Sequence, residues 1–406
     1  MKILVLGSGA REHAIIKSLI RTGTSRDNIV CAPGNPWIAN EVEVRPVDML
    51  DKLEVVKLAL EERVDLVVIG PEAPLVAGIA DALRDQGTAV FGPNQDAAAL
   101  EGSKQFAKEI MAAADIPTGM ARECFEISEV ESAMEQFGAP YVIKADGLAA
   151  GKGVIVTTDK EAALEHAAKF IQDGVLVEEF LDGQEVSLFF LADGKTVMPL
   201  SPAQDYKRAF DNDEGPNTGG MGAYSPLPWL PEGFVEEVTM RVAQPTVTEM
   251  AKRGTPFIGL LYCGLIMTER GVKVIEFNAR FGDPETQVVL RRLNNDLSDL
   301  LMRAATGKLD VGSVAQFSED VAVTVVLASE GYPTSNAPMR DVSGIEAAES
   351  IDGVEVCKAS PTGRVLSVVG TGSSFQEART LAYEGMARIQ LEGGFYRHDI
   401  ALRVAK

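Results

Sequence analysis

Three polar side chains stand at alternate positions in the segment VIEFNARFGDPETQ, which covers residues 274–287. Because alternate side chains of a β-strand share a face, Glu276, Asn278 and Arg280 are expected to project side by side. Carboxylate and amide oxygens are ligands that Mg²⁺ accepts together with waters and substrate phosphates. The E-x-N pattern is weak by itself. The segment therefore predicts either a metal site or an ordinary exposed strand face, with Arg280 paired to a surface carboxylate such as Glu285.

A loop rich in lysine and glycine separates two short β-branched runs in YVIKADGLAAGKGVIV, residues 141–156. It does not fit a phosphate-binding P-loop, because Asp146 stands where the motif needs its first glycine and Gly153 where it needs Ser or Thr. The residues that follow read as a strand, whereas a P-loop opens a helix. Taken alone, the stretch is more typical of a surface hairpin with solvated lysines. Whether this loop binds a phosphate must therefore be judged from the other motifs of the chain.

The N-terminal segment GSGAREHAI follows a predicted strand and opens a predicted helix. A dinucleotide fingerprint would require glycine at position 12, and the residue there is Glu12, which disfavours an NAD pyrophosphate site. The amides around Gly7 and Gly9 could still hold a single phosphate at the helix N-terminus, with help from Arg11.

The elements around these motifs alternate in the first hundred residues. Strands are predicted at 3–6, 29–31, 66–69 and 89–91, with helices between them. This β-α-β order predicts a parallel sheet covered on both faces. Glu72 follows the third of these strands, at the edge where open α/β sheets bind ligands. Its alternative role is a carboxylate that interacts with a helix dipole.

Later segments have a different organisation. Strands and one helix between Tyr141 and Phe190 predict a small α+β lobe, and a Gly- and Pro-rich loop is predicted at 204–226. Three glycines within four residues, at 219, 220 and 222, indicate close backbone approach to another group. A β-hairpin is predicted at 259–278 with its turn at 269–271, and a helix capped by Ser374 ends the chain.

Bulk composition limits the function classes. A chain of 406 residues exceeds the roughly 300 at which single cores stop growing, so two to four domains are expected. The net charge of -21 disfavours broad nucleic-acid or anionic-membrane surfaces. Four scattered cysteines suit a reducing compartment, and no signal peptide or membrane span is indicated, so a cytoplasmic location is expected.

Six segments of the chain carry a resemblance to a known family. They are LEGSK at 100–104, VIKADGLAAGKGV at 142–154, VEEFLDGQEVS at 177–187, QDYKR at 204–208, GPNTGGMGAYSP at 215–226 and IEFNARFGDPETQ at 275–287. Together they resemble the motif set of the glycinamide ribonucleotide synthetase (phosphoribosylamine-glycine ligase) family, within the ATP-grasp superfamily. The resemblance extends from GSGAREHA to GRVLSVVG and YRHDIA, so it covers essentially the whole chain.

The resemblance implies a multidomain α/β and α+β architecture. A Rossmann-like N-terminal domain is expected over residues 1–100, an ATP-grasp domain of two lobes over 101–311, and a small α+β C-terminal domain over 312–406. The smaller lobe is expected at about 117–187. A flexible glycine hairpin with Lys144 at its base would close on a triphosphate, because phosphoryl transfer depends on positioning and charge neutralisation.

The resemblance also implies a reaction. ATP would phosphorylate the carboxylate of glycine, and the amine of 5-phosphoribosylamine would attack the glycyl phosphate to give glycinamide ribonucleotide, ADP and phosphate in de novo purine biosynthesis. The implied cofactors are ATP and Mg²⁺ or Mn²⁺. The implied partners are the two small substrates and, transiently, the upstream amidotransferase, without nucleic acid or membrane.

Residue roles follow from the same resemblance. Phosphates would be bound by Lys104 and Lys144. Adenine and ribose would be bound by the link between the lobes, Glu178, Glu179, Phe180, Leu181 and Glu185. The metal would be bound by Glu276 and Asn278. The catalytic residues would be Arg280, Lys144 and Asp205. The pocket for glycine and phosphoribosylamine would be lined by Gly9, Glu72, Asp205, Lys207, Asn217, Thr218, Gly219, Gly220, Asp283 and Glu285.

Two features depart from the family pattern. Many members carry an insertion with an AFGDAG-like segment before the VIEEFL strand, whereas this chain passes from Phe170 through IQDG directly to VLVEEF. Part of the usual lid over ATP is therefore predicted to be missing or reshaped. Many ATP-grasp enzymes also supply a carboxylate from the strand before Glu276, but residues 261–264 read LYCG. A second metal ion would lack a ligand from that strand.

Three alternative functions are considered. A different ATP-grasp ligase, such as a biotin-dependent carboxylase subunit or another purine-pathway carboxylate-amine ligase, is disfavoured by GPNTGGMGAYSP and GDPETQ. A nucleotide-sensing protein without catalysis is disfavoured because Lys144, Glu276, Asn278 and Arg280 are all present. A nicotinamide oxidoreductase is disfavoured by Glu12 in the fingerprint.

Overall fold

The computed structural model describes residues 1–147, 153–335 and 338–405. Its strands are β1 (Ile3–Gly7), β2 (Ile29–Pro33), β3 (Glu43–Val44), β4 (Leu66–Ile69), β5 (Ala89–Phe91), β6 (Ala121–Cys124), β7 (Tyr141–Ala145), β8 (Val154–Thr157), β9 (Val175–Glu178), β10 (Gln184–Asp193), β11 (Val197–Pro199), β12 (Gln204–Asp205), β13 (Arg208–Phe210), β14 (Glu214–Asn217), β15 (Gly222–Ser225), β16 (Ile258–Thr268), β17 (Gly271–Asn278), β18 (Val321–Ala328), β19 (Val354–Lys358) and β20 (Arg364–Gly372). Its helices are α1 (Ala10–Arg21), α2 (Lys52–Glu61), α3 (Glu72–Val76), α4 (Ile79–Asp85), α5 (Gln95–Gly102), α6 (Lys104–Ala113), α7 (Ile127–Phe137), α8 (Lys160–Phe170), α9 (Phe234–Val238), α10 (Gln244–Lys252), α11 (Glu285–Arg292), α12 (Leu297–Ala305), α13 (Ile345–Glu349) and α14 (Phe375–Arg388). Among the helices described, none is both long and apolar enough to cross a membrane.

The N-terminal part is a parallel sheet in the order β3-β2-β1-β4-β5. All residues of β1 and β4 are buried, as expected for parallel strands with both faces covered. The predicted Rossmann-like architecture is confirmed. Glu72 begins α3 directly after β4, so its carboxylate lies at the carboxyl end of the sheet as predicted.

The small lobe is an antiparallel sheet in the order β6-β9-β7-β8, covered by α7 and α8. It has an apolar core of its own, which includes Cys124, Val130, Ile143 and Val177. The predicted hairpin of Lys144 is formed by β7 and β8. Its tip, residues 148–152 with Lys152, lies outside the described residues, and so does the expected closure of that tip on a nucleotide.

The large lobe is built on the sheet β11-β10-β16-β17. The predicted hairpin is confirmed as β16 and β17, whose register pairs Gly264 with Glu276 and Tyr262 with Asn278. Strand β17 therefore presents the predicted polar face next to the junction with the small lobe, where Thr118 forms a bridge to Val274.

The segment 204–226 differs from its prediction as a loop. Strands β13 and β14 pair as a small hairpin, while β12 and β15 join the C-terminal sheet, whose order is β12-β15-β18-β20-β19. The prediction was wrong because strands of two to four residues among Gly, Pro and Asp leave no readable alternation. The C-terminal sheet thus begins inside the segment that contains the ATP-grasp lobes.

Candidate active site

The polar face of β17 lies where cations from three parts of the chain converge. Burial alone would raise the pKa of Glu276, yet this pKa lies below its usual value because four cations surround the carboxylate. These cations are Lys207, Lys144, Arg280 and Lys104. The arrangement keeps Glu276 ionised and collects positive charge around it, as a site for a polyphosphate requires.

The oxygen donors on β17 fit a hard divalent cation with few protein ligands. Glu276 and Asn278 share one face, and Asn278 Oδ1 accepts a hydrogen bond from Arg280 Nη2 at 3.4 Å. A Cβ at Gly264 would lie 3.0 Å from Glu276 Cγ, so the missing side chain on β16 leaves room for this carboxylate. Within the described ranges, no group of three or more His, Cys, Asp or Glu is placed to hold a metal ion. A cation here would take its other ligands from water and phosphates, which suits Mg²⁺.

Lys144 is held by a buried cluster of charges beside β17. Its Nζ lies 2.9 Å from Glu178 Oε2 and donates to the carbonyl of Ile275 at 3.3 Å. Lys108 reaches the other oxygen of Glu178 at 3.4 Å and also donates to Thr118 Oγ1 at 2.9 Å. Lys144 and Glu178 are only 5% and 6% exposed. The cluster fixes the predicted phosphate ligand Lys144 at the junction of the two lobes.

Lys104 stands at the N-terminal end of α6, which Ser103 caps by accepting from the backbone N–H of Phe106. The Asp146 carboxylate accepts hydrogen bonds from the Lys104 backbone N–H at 2.6 Å and from Ser103 Oγ at 3.1 Å. Burial lowers the pKa of Lys104, although Glu276 and Asp146 oppose this change. The LEGSK motif therefore joins the start of α6 to the base of the lysine hairpin.

The segment between β9 and β10 connects the two lobes, as predicted for a hinge. The backbone N–H of Glu179 donates to the carbonyl of Met120 at 2.9 Å, and the carboxylate of Glu179 lies 3.6 Å from Lys273 Nζ. A Cβ at Gly183 would lie 2.0 Å from the carbonyl oxygen of Met267, so only glycine fits this close approach to β16. Phe180 and Leu181 lie in the same connection.

Arg280 is bound by carboxylates from the N-terminal part of the chain. Its Nη2 lies 3.0 Å from Glu101 Oε1, and its Nε lies 3.5 Å from Glu72 Oε2. Burial opposes the charge of Arg280, but these two carboxylates raise its pKa above the usual value. The choice of Glu285 as a surface partner of Arg280 is wrong, because Glu285 is buried and the ion-pair partners of Arg280 are Glu101 and the partly exposed Glu72.

A cluster of acids and one lysine forms the opposite wall. Burial raises the pKa of Asp205 to about 7, and the nearby Glu285 and Glu185 add to this rise while Lys207 opposes it. The Lys207 ammonium donates to Glu185, the predicted ribose ligand. Glu285 accepts a hydrogen bond from Tyr262 Oη at 2.6 Å. Asp205 can therefore change protonation near neutral pH.

The glycines of the turn after β1 lie against the carboxylate of Glu12. The Gly9 N–H donates to Glu12 Oε2 at 2.6 Å, and Glu12 is 2% exposed. A Cβ at Gly7 would lie 2.5 Å from Glu12 Cγ, and one at Gly70 only 2.1 Å from Glu12 Oε1. Glu12 thus fills the space beneath the turn, which explains why the dinucleotide fingerprint fails. The Gly9 amide is not available to the phosphate considered from sequence, so a substrate contact by Gly9 would have to use its other atoms.

The substrate loop predicted at Asn217–Gly220 is held in place by neighbouring residues. Thr218 donates from its backbone N–H and from Oγ1 to the carbonyl of Lys207, at 2.7 and 2.9 Å. Asp283 lies beside Gly220, and its carboxylate pairs with Arg364 at 3.0 Å. The structure therefore places Gly219 and Gly220 beside Asp283, whereas the Asn217 side chain is exposed.

Several residues at the site were missed by sequence reasoning. Glu101, Lys108, Tyr262, Ser187 and Arg364 all contact predicted site residues. Glu101, Ser187 and Arg364 lie inside quoted motif segments, LEGSK, VEEFLDGQEVS and GRVLSVVG, which is the signal that could have found them. Lys108 lies on α6 and Tyr262 lies in the apolar strand β16, and no local pattern distinguishes these two residues.

The chain matches known proteins along nearly all its length. Three family models match in order: the phosphoribosylglycinamide synthetase N domain over residues 1–101, its ATP-grasp (A) domain over 102–286 and its C domain over 322–403. The phosphoribosylamine–glycine ligase of Leifsonia xyli subsp. xyli is 59% identical, over 99% of this chain and 100% of that protein. The crystal structure of phosphoribosylamine–glycine ligase from Thermotoga maritima has a TM-score of 0.84 at 30% identity, covering 98% of this chain and 100% of that one.

A likeness to biotin carboxylases extends to the fold alone. The biotin carboxylase domain of Hydrogenobacter thermophilus 2-oxoglutarate carboxylase, solved with MgADP, has a TM-score of 0.71 at 18% identity, covering 97% of this chain and 91% of that one. The fold therefore does not separate the two enzyme types, but the sequence does. With three matching domain models in order and 59% identity over nearly its full length, the chain belongs to the phosphoribosylglycinamide synthetase family.

Proposed function

We propose that this chain joins glycine to 5-phosphoribosylamine at the expense of ATP, by way of a glycyl phosphate, and releases glycinamide ribonucleotide, ADP and phosphate. One observation carries the proposal in molecular terms: the ionised Glu276 stands among Lys104, Lys144, Lys207 and Arg280 at the junction of the lobes. The names of the matching family models and relatives point to the same reaction.

The nucleotide would lie between the lobes. Two of the three N–H groups of Lys144 are used by Glu178 and Ile275, and the third can point at a phosphate oxygen. Lys104 would bind the phosphates from the start of α6. The backbone of residues 178–181 would bind adenine, and Glu185 the ribose hydroxyls. Mg²⁺ or Mn²⁺, held by Glu276 and Asn278, would neutralise charge on the phosphates.

Arg280 would stabilise the phosphoryl group as it passes to the glycine carboxylate. Its guanidinium is oriented by Glu101 at 3.0 Å and Glu72 at 3.5 Å, so little reorganisation is required during transfer. A planar fork of donors suits the oxygens of both the phosphoryl group and the acyl phosphate. This geometry makes Arg280 the strongest candidate for the phosphoryl-transfer step.

Asp205 would act in the second step, when the amine attacks the glycyl phosphate. Amide formation releases a proton from the attacking nitrogen, and a base must accept it. Partly buried and close to Glu285 and Glu185, Asp205 has a pKa raised to about 7, which suits a group that accepts a proton near neutral pH. Lys207, Thr218, Gly219, Gly220, Asp283 and Glu285 would form the surrounding pocket, with Glu72 and Gly9 from the N-terminal part and Asn217 at its rim.

The domain division at residues 100 and 311 is part of this proposal and is supported by the ranges of the family models. A cytoplasmic location and a transient contact with the upstream amidotransferase also belong to the proposal. The second would shorten the free lifetime of phosphoribosylamine.

An ADP-release assay tests the reaction. We expect release with ATP, a divalent cation, glycine and freshly generated phosphoribosylamine together, and loss of release when either substrate is omitted. Isotopically labelled glycine should appear in the amide product. Release that depends on bicarbonate and ignores glycine would instead favour a carboxylase, and no release under any condition would favour a nucleotide-binding protein.

A further inference from the structure

The substrate loop is gripped by a side chain from the C-terminal sheet. Arg364, the first residue of β20, donates from Nη1 to the carbonyl of Gly219 and to the carbonyl of Asp283, each at 2.6 Å. Its Nη2 lies 3.0 Å from Asp283 Oδ2. One guanidinium thus ties the loop before β15 to the segment that begins α11. Gly219 and Asp283, both in the ATP-grasp part, are therefore joined through Arg364 of the C domain.

The glycines of the loop fit this grip. A Cβ at Gly219 would lie 2.9 Å from Arg364 Cζ, and one at Gly220 would lie 2.4 Å from Pro284 Cδ. Gly220 also has a φ of +109°, in the region that favours glycine. The sequence indicated that another group approaches these glycines closely. At Gly219 that group is Arg364, and at Gly220 it is Pro284.

A second residue of the C domain supports the same loop. The Gly219 N–H donates to Tyr332 Oη at 3.0 Å. Both the N–H and the carbonyl of Gly219 are therefore bound by side chains of the C domain. Two independent contacts on one residue fix the path of the loop more strictly than either alone.

A cavity of about 220 Å³ opens beside this grip. Asp283 and Arg364 line it together with Ala10, Ser367 and the apolar Val326 and Leu366. Its volume is several times the roughly 30 Å³ share of one liquid water, so it has room for a sugar-sized group. The cavity lies where the N-terminal, ATP-grasp and C domains meet.

We propose that Arg364 is a positioning residue for the phosphoribosylamine pocket, which it forms by fixing the Gly219–Gly220 loop against Asp283. The inference rests on the proposed function and adds the C domain to the site. Arg364 acts through the loop and through Asp283, without a part in the phosphoryl transfer. Its effect should therefore fall on binding of the amine substrate and spare ATP.

The electrostatics of Asp283 agree with this role. Burial would raise the pKa of Asp283, but Arg364 first, and then Arg11, keep it below the usual value. An ionised Asp283 can accept hydrogen bonds from sugar hydroxyls or from an amine. Removing the guanidinium would both free the loop and weaken this acceptor.

Steady-state kinetics of Arg364→Ala test the proposal. We expect KM for phosphoribosylamine to rise about tenfold or more, while KM for ATP changes by less than about twofold. Arg364→Lys should recover only part of the loss, because one ammonium does not reproduce the planar fork. Added guanidinium at millimolar concentration should lower the raised KM of Arg364→Ala.

Arg340→Ala is the matched control. Arg340 also lies in the C domain, has a side chain 26% exposed against 23% for Arg364, and pairs with Glu330 at 2.9 Å. It makes the same kind of contact away from the pocket and should leave all KM values unchanged. Should Arg364→Ala fail to fold, Tyr332→Phe is to be measured instead. It removes one hydroxyl and should raise the same KM about twofold to fivefold.

The outcomes separate this inference from the proposed function. Wild-type enzyme that forms no product from glycine and phosphoribosylamine would overturn both. Active wild-type enzyme whose Arg364 variants keep the KM for phosphoribosylamine, or raise the KM for ATP equally, would overturn the positioning role alone. An Arg340→Ala variant with the same rise in KM would also overturn the positioning role.

Discussion

The two sides of the candidate site differ in their balance of charges. On the side proposed to bind the nucleotide, three lysines and three carboxylates lie around β7 and α6. They are Lys104, Lys108 and Lys144, with Asp146, Glu178 and Glu276 between them. On the acceptor side, carboxylates outnumber cations. They are Glu72, Glu101, Asp205, Asp283 and Glu285, with Arg280, Lys207 and Arg364 between them.

Burial acts on the two sides in the same way but with opposite results. It lowers the pKa of Lys104 and Lys108, and it raises the pKa of Asp205 and Glu101. In both cases the charged form lacks enough compensation from the chain alone. The lysines are suited to an incoming polyanion and the acids to an incoming amine. The contrast supports the proposed binding of the ATP phosphates beside the lysines and of the amine substrate beside the acids.

The largest expected effect is at Arg280, which connects the two sides. Arg280→Lys keeps the charge but loses the fork, and turnover should fall roughly a hundredfold or more. The melting temperature should change little, because a lysine can keep one of the pairs with Glu101 and Glu72. Single-turnover kinetics and calorimetry check both expectations. Arg253→Lys, on a surface pair with Glu249 at 3.2 Å, is the control.

If the Arg280 variant keeps wild-type turnover, or merely unfolds, the residue belongs to the domain interface and not to the chemistry. Arg280 would then no longer be the catalytic group that connects the nucleotide side with the acceptor side. A large loss in turnover with an intact fold would support the proposed transfer of a phosphoryl group from one side to the other.

The next effect concerns the nucleotide side. Glu276→Gln keeps the shape of the side chain but removes its charge, so turnover should fall by roughly tenfold to a hundredfold while ATP affinity changes by less than about threefold. Turnover at saturating Mg²⁺ and equilibrium nucleotide binding measure the two quantities. Glu269→Gln, in the turn of the same hairpin, should behave as wild type. Unchanged turnover for Glu276→Gln would refute the metal assignment.

The smallest effect is the pH dependence of the acceptor side. With a pKa of about 7, Asp205 is protonated below that pH, so kcat/KM should rise through pH 7 to a plateau. Asp205→Asn should remove this limb and lower the plateau about tenfold, whereas Asp173→Asn on the surface should keep it. A limb that persists in Asp205→Asn would assign the titration to another group.

Stability should respond to the same residue. The pKa of Asp205 is raised from 3.8 to about 7 in the folded chain. Between those values the unfolded chain has lost the proton that the folded chain keeps, so Asp205 makes stability fall as pH rises through this window. Asp205→Asn removes that dependence, and denaturant titrations at pH 4 and pH 8 would show the difference.

Sequence reasoning predicted elements where a local pattern was strong. The parallel strands of the N-terminal sheet and the hairpin around Glu276 follow from apolar runs and alternation, and the structure has them close to the predicted bounds. The polar face of β17 was likewise found from residue type and spacing, whereas the role of Lys144 was implied only by the family resemblance. Its loop alone is more typical of solvated lysines, but Lys144 is buried. The sheet, the hairpin and the β17 face depend on neighbours in sequence.

Other features depend on contacts across the chain. The Glu101 carboxylate accepts a hydrogen bond from the backbone N–H of Ala279, which lies 178 residues away in sequence. Arg364 donates to the carbonyl of Gly219, which lies 145 residues away. The periodicity of apolar residues in the sequence does not indicate such long-range pairs. The short strands β12 and β15 were missed for a related reason, because β15 pairs with a strand from a distant part of the chain.

The shared C-terminal sheet limits how this chain can be divided. Strand β15 pairs along its length with β18, from Gly222 opposite Val325 to Ser225 opposite Ala322. A fragment that ended at residue 311 would leave this edge of β15 without its partner, and an unpaired apolar edge is a template for aggregation. The C-terminal segment, for its part, would present the bare edge of β18. The two fragments would therefore have to be produced together, and their reassembly would restore the substrate pocket and the fold in one step.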